Sequence, residues 1–251
     1  MARLICIGDV HGHLDELNAL LLQVQVRPGD RLVFLGDLVD RGPDSPGVVR
    51  RVRGLLHTFP GSTALLGNHE SQLVQLAKRS NCDQWIHDLT DEEFHWLTGL
   101  PVFTRDPERS ILMVHGGLYP RYFAHYPAGV PVDWEAVAAL PRKQRERIHR
   151  FCRVRYCDPD GDVVALGEET TEDHFWADLY DGREGFVVFG HEPYRDAPRR
   201  FPHALGIDGV FEILAAVWDQ GPDPVIFRQP TITATTAAVV RMLANLGVKI
   251  K

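Results

Sequence analysis

A chain of 251 residues, 44% apolar and 24% charged, can bury one large core, alone or under a cap, and has the composition of a soluble globular protein. Its 27 Lys and Arg against 34 Asp and Glu leave a formal charge of −7, which argues against a role resting on nucleic-acid phosphates. No apolar run approaches the roughly 18 residues of a membrane span, and the apolar start of MARLICIGDVHG is too short for a signal peptide, so a cytoplasmic protein with reduced thiols is expected.

In chain order, a first strand falls around Leu4 to Ile7 and a helix follows from about Leu14 to Val24. Leu14, Leu17, Leu21 and Val24 give that helix an apolar stripe at three- and four-residue spacing. Pro28, Gly29 and Asp30 turn the chain into a second strand, Leu32 to Leu35. A second helix begins after Asp44, Ser45 and Pro46, with proline in its first turn, and runs through Val48, Val49 and Val52. A third strand, Ala64 to Leu66, leads to a helix from about Glu70 to Arg79. Such strand–helix alternation predicts an α/β layered fold.

Beyond His115 the pattern changes. Pro120, Pro127, Pro131 and Pro141 interrupt a stretch with many aromatic residues and the basic segment PRKQRERIHR. Residues 118–185 therefore read as an insertion capping the site within a single domain of 1–251. The C-terminal extension, 230–251, carries Val239, Met242, Leu243 and Leu246 at amphipathic-helix spacing, suited to packing on the body or to binding a partner. Arg142 to Arg150 reads first as a solvated helix face and second as a positive rim for an anionic substrate. Tyr122, Phe123, Tyr126, Phe175 and Trp176 either pack in the core or stack on a base. Cys6 lies in a strand as a small hydrophobe, while Cys152 and Cys157 lack CxxC spacing and read as structural. His13, His57, His87, His95, His125, His149, His174 and His203 are expected on the surface.

Five apolar runs carry the chemistry. LICIGDVHG, LVFLGDLVDRG, ALLGNHE, ILMVHGG and FVVFGHE each end by delivering Asp, Asn or His: Asp9, His11, Asp37, Asp40, Asn68, His69, His115 and His191. Taken singly, any of these is an ordinary surface or helix-capping residue. Falling in order at five strand ends, they describe one site. Their oxygen and nitrogen donors suit Mn, Fe or Zn more than soft copper. Ligands of open α/β sheets collect beyond the carboxyl ends of strands, where all five motifs would lie. A carboxylate that bridges two metals about 3.5–4 Å apart lets the pair clamp a phosphoryl group and activate water. Residue chemistry thus points to a two-metal hydrolase.

GDVHG (8–12), GDLVDRG (36–42), GNHE (67–70), HGG (115–117) and GH (190–191) resemble the motif series of the PPP family within the calcineurin-like metallophosphoesterases, in order and spacing, over residues 3–192. The resemblance implies an α/β fold of that type, with two mixed β-sheets sandwiched by helices and a dimetal site at one edge. It implies that Asp9 and His11 hold the first metal, that Asp37 bridges, and that Asn68, His115 and His191 complete the second. Mn is the expected ion, with Fe, Zn and Co also accommodated. It makes His69 the general acid toward the leaving oxygen, Asp40 the carboxylate orienting it, and Arg41 the grip on substrate phosphate. Attack would be in line by a metal-bound hydroxide, without a covalent enzyme intermediate.

The same resemblance expects a second phosphate-binding arginine between HGG and GH, where Arg121, Arg153, Arg155 and Arg183 compete. After GH the chain reads GIDGVFEILAAVW, shorter than the Gly- and Cys-containing turn of many relatives. Two branches matter for substrate: bacterial diadenosine tetraphosphate hydrolases and serine/threonine protein phosphatases. Small size, the DELNALLLQVQVRPGD stretch and the compact cap resemble the first; the intact DRG and NHE resemble the second. The expected activity is bis(5'-nucleosyl)-tetraphosphate hydrolysis, with phosphoprotein dephosphorylation as the alternative. An inactive scaffold would lack a ligand or the general acid, and none is missing. A nuclease or phosphodiesterase would want a basic groove, against the acidic balance.

Overall fold

The computed structural model describes residues 2–79, 82–118 and 150–231, together with positions 136, 139–142 and 145. Strands and helices alternate at first: β1 (Leu4–Ile7), α1 (Leu14–Val24), β2 (Arg31–Phe34), α2 (Ser45–Thr58), β3 (Thr63–Ala64) and α3 (Asn68–Leu76). Two short helices follow, α4 (Gln84–His87) and α5 (Asp91–Thr98), then β4 (Phe103–Asp106) and β5 (Ile111–Val114). The later part is mostly strand: β6 (Tyr156–Cys157), β7 (His174–Phe175), β8 (Phe186–Phe189), β9 (Arg199–Arg200), β10 (Ala204–Gly206), β11 (Asp208–Gly209), β12 (Glu212–Trp218) and β13 (Val225–Pro230).

The strands form the two mixed sheets that the family resemblance implies. One runs β11-β12-β1-β2-β3, with β13 also paired to β12; the other runs β4-β5-β8-β10-β9, and β6 pairs with β7 apart from both. β1, β2 and β3 are parallel, as are β5, β8 and β10, while β12 and β4 run antiparallel to their neighbours. β1 and β5 sit inside their sheets and are buried throughout, which accounts for unbroken apolar runs rather than alternation. Helix α1 buries Leu17, Leu20, Leu21 and Val24 against β12 and β13, each side chain contributing about 1.5–3 kcal/mol. Asp44 caps α2 by accepting from the Gly47 N–H at 2.7 Å, and Pro46 occupies the first turn, as its sequence foretells.

Several boundaries shift from the sequence expectation: β2 runs one residue earlier than Leu32 to Leu35, and α3 ends at Leu76, short of Arg79. α3 starts at Asn68, not Glu70, because Gly67 ends the extended chain and Glu70 falls in the first turn. β3 closes at Ala64: the Leu65 N–H still pairs with the Phe34 carbonyl, but the Leu66 N–H turns to the Pro101 carbonyl beside the second sheet. All four cysteines are free thiols. Cys152 donates to the Leu66 carbonyl at 3.2 Å, and burial pushes Cys6 and Cys152 up and Cys157 to about 11, so they act as packing groups. His57, His87, His95, His174 and His203 are exposed and His13 is half-buried beside Glu16; His125, His149 and the amphipathic segment near Val239 lie outside the described residues. No helix among the described residues is long and apolar enough to cross a membrane.

Candidate functional site

The parallel strands of both sheets aim their carboxyl ends at one place. β1 delivers Asp9 and His11, β2 delivers Asp37 and Asp40, β3 leads to Asn68 and His69 on the first turn of α3, β5 ends in His115 and β8 leads to His191. The site residues also stitch the sheets together. His115 Nδ1 donates to the Leu35 carbonyl at 2.9 Å and the His191 N–H reaches Asp9 Oδ1 at 3.2 Å, both across the sheets, while the Gly190 N–H reaches the His115 carbonyl at 2.9 Å within the second sheet.

The backbone is bent hard to do this. His11, Asp37, Asp40, Arg41 and His191 all have left-handed φ, between 47° and 70°, a region that costs a side-chain-bearing residue about 1–3 kcal/mol. Such strain persists where the surroundings hold it. Here the buried carboxylate of Glu70 holds it, accepting from the N–H groups of Gly67, Asp37 and Leu38 at 2.9 Å each. The Val10 and His11 N–H groups both reach the Asp37 carbonyl, at 3.0 and 2.9 Å. Glycine is required at 67, where a Cβ would stand 2.2 Å from Asp37 Oδ1, and at 36, where φ is 103°.

The donor atoms then converge. His11 Nε2 lies 3.8 Å from Asp9 Oδ2 and 3.8 Å from Asp37 Oδ2. His115 Nε2 lies 3.3 Å from Asp37 Oδ1 and 3.1 Å from Asn68 Oδ1, and its ring centroid is 5.2 Å from that of His191. Asp37 thus stands between two donor groups, one with His11 and His69 and one with His115 and His191.

The donor set fits divalent cations. His11 and His115 each commit Nδ1 to a backbone carbonyl, of Val39 at 3.0 Å and of Leu35, which leaves Nε2 free to ligate a cation. His191 Nε2 is buried with no hydrogen-bond partner among the described residues. Burial and mutual repulsion push Asp9 well above the carboxylate range and Asp208 to about 7, while the neighbouring histidines hold Asp37 below it despite its burial. An anionic cluster of this kind is neutralised by bound cations.

His69 faces the cluster from one side. Its Nδ1 is 2.6 Å from Asp40 Oδ2, and its Nε2 is 3.7 Å from Asp37 Oδ2 and 3.4 Å from the Arg41 guanidinium. Burial works against the charged ring, yet the Asp40 bond and the Asp37 charge hold its pKa above the ordinary histidine value. Asp40 accepts from Nδ1 and so favours the doubly protonated ring, whose Nε2 faces the cluster.

Arg41 opens onto a cleft of about 770 Å³ that is bordered by Asn68 and His191. Arg150, Arg153 and Arg155 line the same cleft, and Val163, Val164, Ala165 and Leu166 form an apolar wall. Of the arginines competing for substrate phosphate, Arg153 and Arg155 are therefore in place. Arg155 is set by Glu192, 2.5 Å from its Nε, and by the His191 carbonyl at 3.2 Å. Arg183 is tied to Asp181 at the exposed surface, and Arg121 lies outside the described residues. Arg150 brings the end of the basic segment to the cleft, whereas Arg142 is exposed.

Sequence reasoning missed Glu70 and Asp208. Glu70 could have been found as an acid in the first turn of a helix that follows a strand-end glycine. Asp208, buried against Asp9, repeats the motif logic, since ALGID is another apolar run ending in acid. Among the aromatic candidates, Trp176 is core, 5.0 Å centroid to centroid from Phe189; Phe175 is half-buried; Tyr122, Phe123 and Tyr126 lie outside the described residues.

The comparisons agree with this geometry. A symmetrical bis(5'-nucleosyl)-tetraphosphatase of Erwinia tasmaniensis is 29% identical over 225 residues, 74% of this chain and 81% of that one. Its namesake in Yersinia enterocolitica is 31% identical over 225 residues, 74% of this chain and 76% of that one. A crystal structure provisionally named as a diadenosine tetraphosphatase superposes with a TM-score of 0.68 at 27% identity, covering 93% of this chain and 95% of that one. A serine/threonine phosphatase from Saccharomyces cerevisiae shares the fold, with a TM-score of 0.60 at 15% identity over 92% of this chain and 81% of that one. The calcineurin-like phosphoesterase model matches residues 2–215, so the chain belongs to that family and is a metal-dependent hydrolase of phosphate bonds.

Proposed function

We propose that this chain hydrolyses dinucleoside tetraphosphates symmetrically, releasing two nucleoside diphosphates. The observation that carries the reading is the cleft itself: Arg41, Arg153 and Arg155 line one space of about 770 Å³ beside Asn68 and His191. One phosphoryl group needs little of that room or charge, whereas a chain of four uses both. The relatives named above for this reaction support it.

Asp9, His11, Asp37, Asn68, His115 and His191 would hold two divalent ions, Mn first among those that oxygen and nitrogen donors suit. When bound, such a pair supplies Lewis acidity and an activated water. The protein's own groups do the rest. Arg41 grips the reacting phosphate with its planar fork, and Arg153 and Arg155 hold the phosphates beyond it. His69 passes the Nε2 proton to the departing oxygen, while Asp40 holds Nδ1 and steadies the charged ring until the proton leaves. The described stretch from Arg150 onward sets Arg153 and Arg155 beside Asn68 and His191. Four free thiols fit a reducing, cytoplasmic setting.

Product analysis tests the reading. Mn-loaded protein given diadenosine tetraphosphate should release two ADP, and should be slow on a phosphothreonine peptide in a parallel reaction. Fast phosphate release from the peptide with the dinucleotide intact would replace it with the protein-phosphatase reading.

A further inference from the structure

Next to the arginine cleft is a second pocket, of about 270 Å³. Tyr156 on β6 and Phe175 on β7 give it aromatic walls, and Asp173, His174, Asp178, Glu192, Tyr194 and Arg199 complete its lining. The walls are fixed. Tyr156 and Phe175 meet edge to face at 5.9 Å, and Phe175 stacks on Phe201 at 5.4 Å and 22°. The Arg199 guanidinium lies 5.2 Å from the centre of the Tyr194 ring.

Two features point to a ligand. Tyr194 is only 8% exposed, yet its hydroxyl has no hydrogen-bond partner among the described residues. Asp178, in contrast, is exposed at the rim with no ion-pair partner among the described residues. Glu192 joins the pocket to the cleft, since its carboxylate pairs with Arg155, which lines the cleft. Along this line the lining passes from four arginines to aromatic rings and three carboxylates, Asp173, Asp178 and Glu192, beside the single Arg199. A phosphate is attracted at one end and repelled at the other.

We infer that this pocket is a nucleobase subsite, taking a base with an exocyclic amine such as adenine while the phosphate chain lies in the arginine cleft. The inference rests on the dinucleotide reading above. Asp178 and Glu192 accept from the amine, the Tyr194 hydroxyl meets a ring nitrogen, and the base packs against the wall that the Tyr156 and Phe175 rings form together. The volume admits a purine. A base without an exocyclic amine, such as uracil, leaves Asp178 unused.

The test is base preference. KM is measured for diadenosine and diuridine tetraphosphate in the wild type, Tyr194→Phe and Asp178→Asn, all metal-loaded, with p-nitrophenyl phosphate as a base-free substrate. Circular dichroism checks folding, and Asp178, being exposed, can be changed even if Tyr194→Phe fails to fold. The wild type should favour the diadenosine substrate by about tenfold in KM, and each folded variant should narrow that gap to about two- or threefold. Equal KM values in the wild type, or an undiminished gap in the variants, would overturn the subsite and leave the hydrolase reading standing. Turnover of p-nitrophenyl phosphate with neither dinucleotide cleaved would overturn both.

Discussion

The donor cluster and the arginine cleft share Asn68 and His191 but are built in opposite ways. In the cluster, Asp9, Asp37, His115 and His191 are buried, Asp37 and His191 sit at strained backbone positions, and hydrogen bonds of His115 and His191 tie the two sheets together. In the cleft, Arg41 and Arg153 are exposed, and the facing wall ends in Leu166, which is 75% exposed. Chemistry needs atoms held in a near-attack geometry, which backbone and burial can enforce. Substrate choice needs charge and shape at a mouth that can be rebuilt without disturbing that geometry. The molecule separates the two tasks by rigidity.

The sharpest way to break this contrast is to remove the shared carboxylate. Asp37→Asn should lower kcat/KM by more than about 10⁴-fold and reduce the metal content measured by elemental analysis, because Asp37 stands in both donor groups. Full metal content with near-normal activity would contradict its bridging place. His69→Asn should cost about 10²–10⁴-fold in kcat with metal content retained. The loss should be smaller for p-nitrophenyl phosphate, whose leaving group needs no proton; an equal loss on every substrate would remove His69 from the proton-donating role. Asp40→Asn, acting through His69 at 2.6 Å, should cost about 10–100-fold and shift the pH dependence of kcat.

The smallest effect belongs to a third kind of region, one with no part in the site. Thr90 and Glu93 form a reciprocal cap at the start of α5, with Arg50 donating to Glu93 at 2.8 Å. Thr90→Ala should lower unfolding stability by about 1 kcal/mol without changing kcat. Hydrogen bonds from Arg50 and the Thr90 N–H hold Glu93 at about 2. Since its folded value is depressed, its contribution is present above its ordinary value near 4.5 and fades as pH falls from there through about 2. Denaturant midpoints of wild type and Glu93→Gln should therefore converge across that window; a constant difference would argue against the ion pair.

The same separation explains what the sequence revealed. Asp9, Asp37, Asn68, His115 and His191 were legible because each ends an apolar strand, and local pattern fixes both the strand and its last turn. Pairing of β12 against β1, and the crossing of the chain from Leu65 to Leu66 between the sheets, are long-range events that no local pattern records. Glu70 was overlooked because its partners, the N–H groups of Asp37 and Leu38, lie more than thirty residues away. The choice among arginines was closed to sequence for the same reason: Arg153 and Arg155 gain meaning only when folding sets them beside Asn68 and His191.

The division of labour is tested most directly by removing cleft charge alone. For Arg153→Ala and Arg155→Ala, kcat/KM is measured on diadenosine tetraphosphate and on p-nitrophenyl phosphate with the metal-loaded protein. The account predicts that each variant loses about tenfold or more on the tetraphosphate and much less on the small ester, since a charge-assisted phosphate contact is worth that much. Equal losses on both substrates would contradict it, placing these arginines with the reacting phosphate and dissolving the distinction between cluster and cleft.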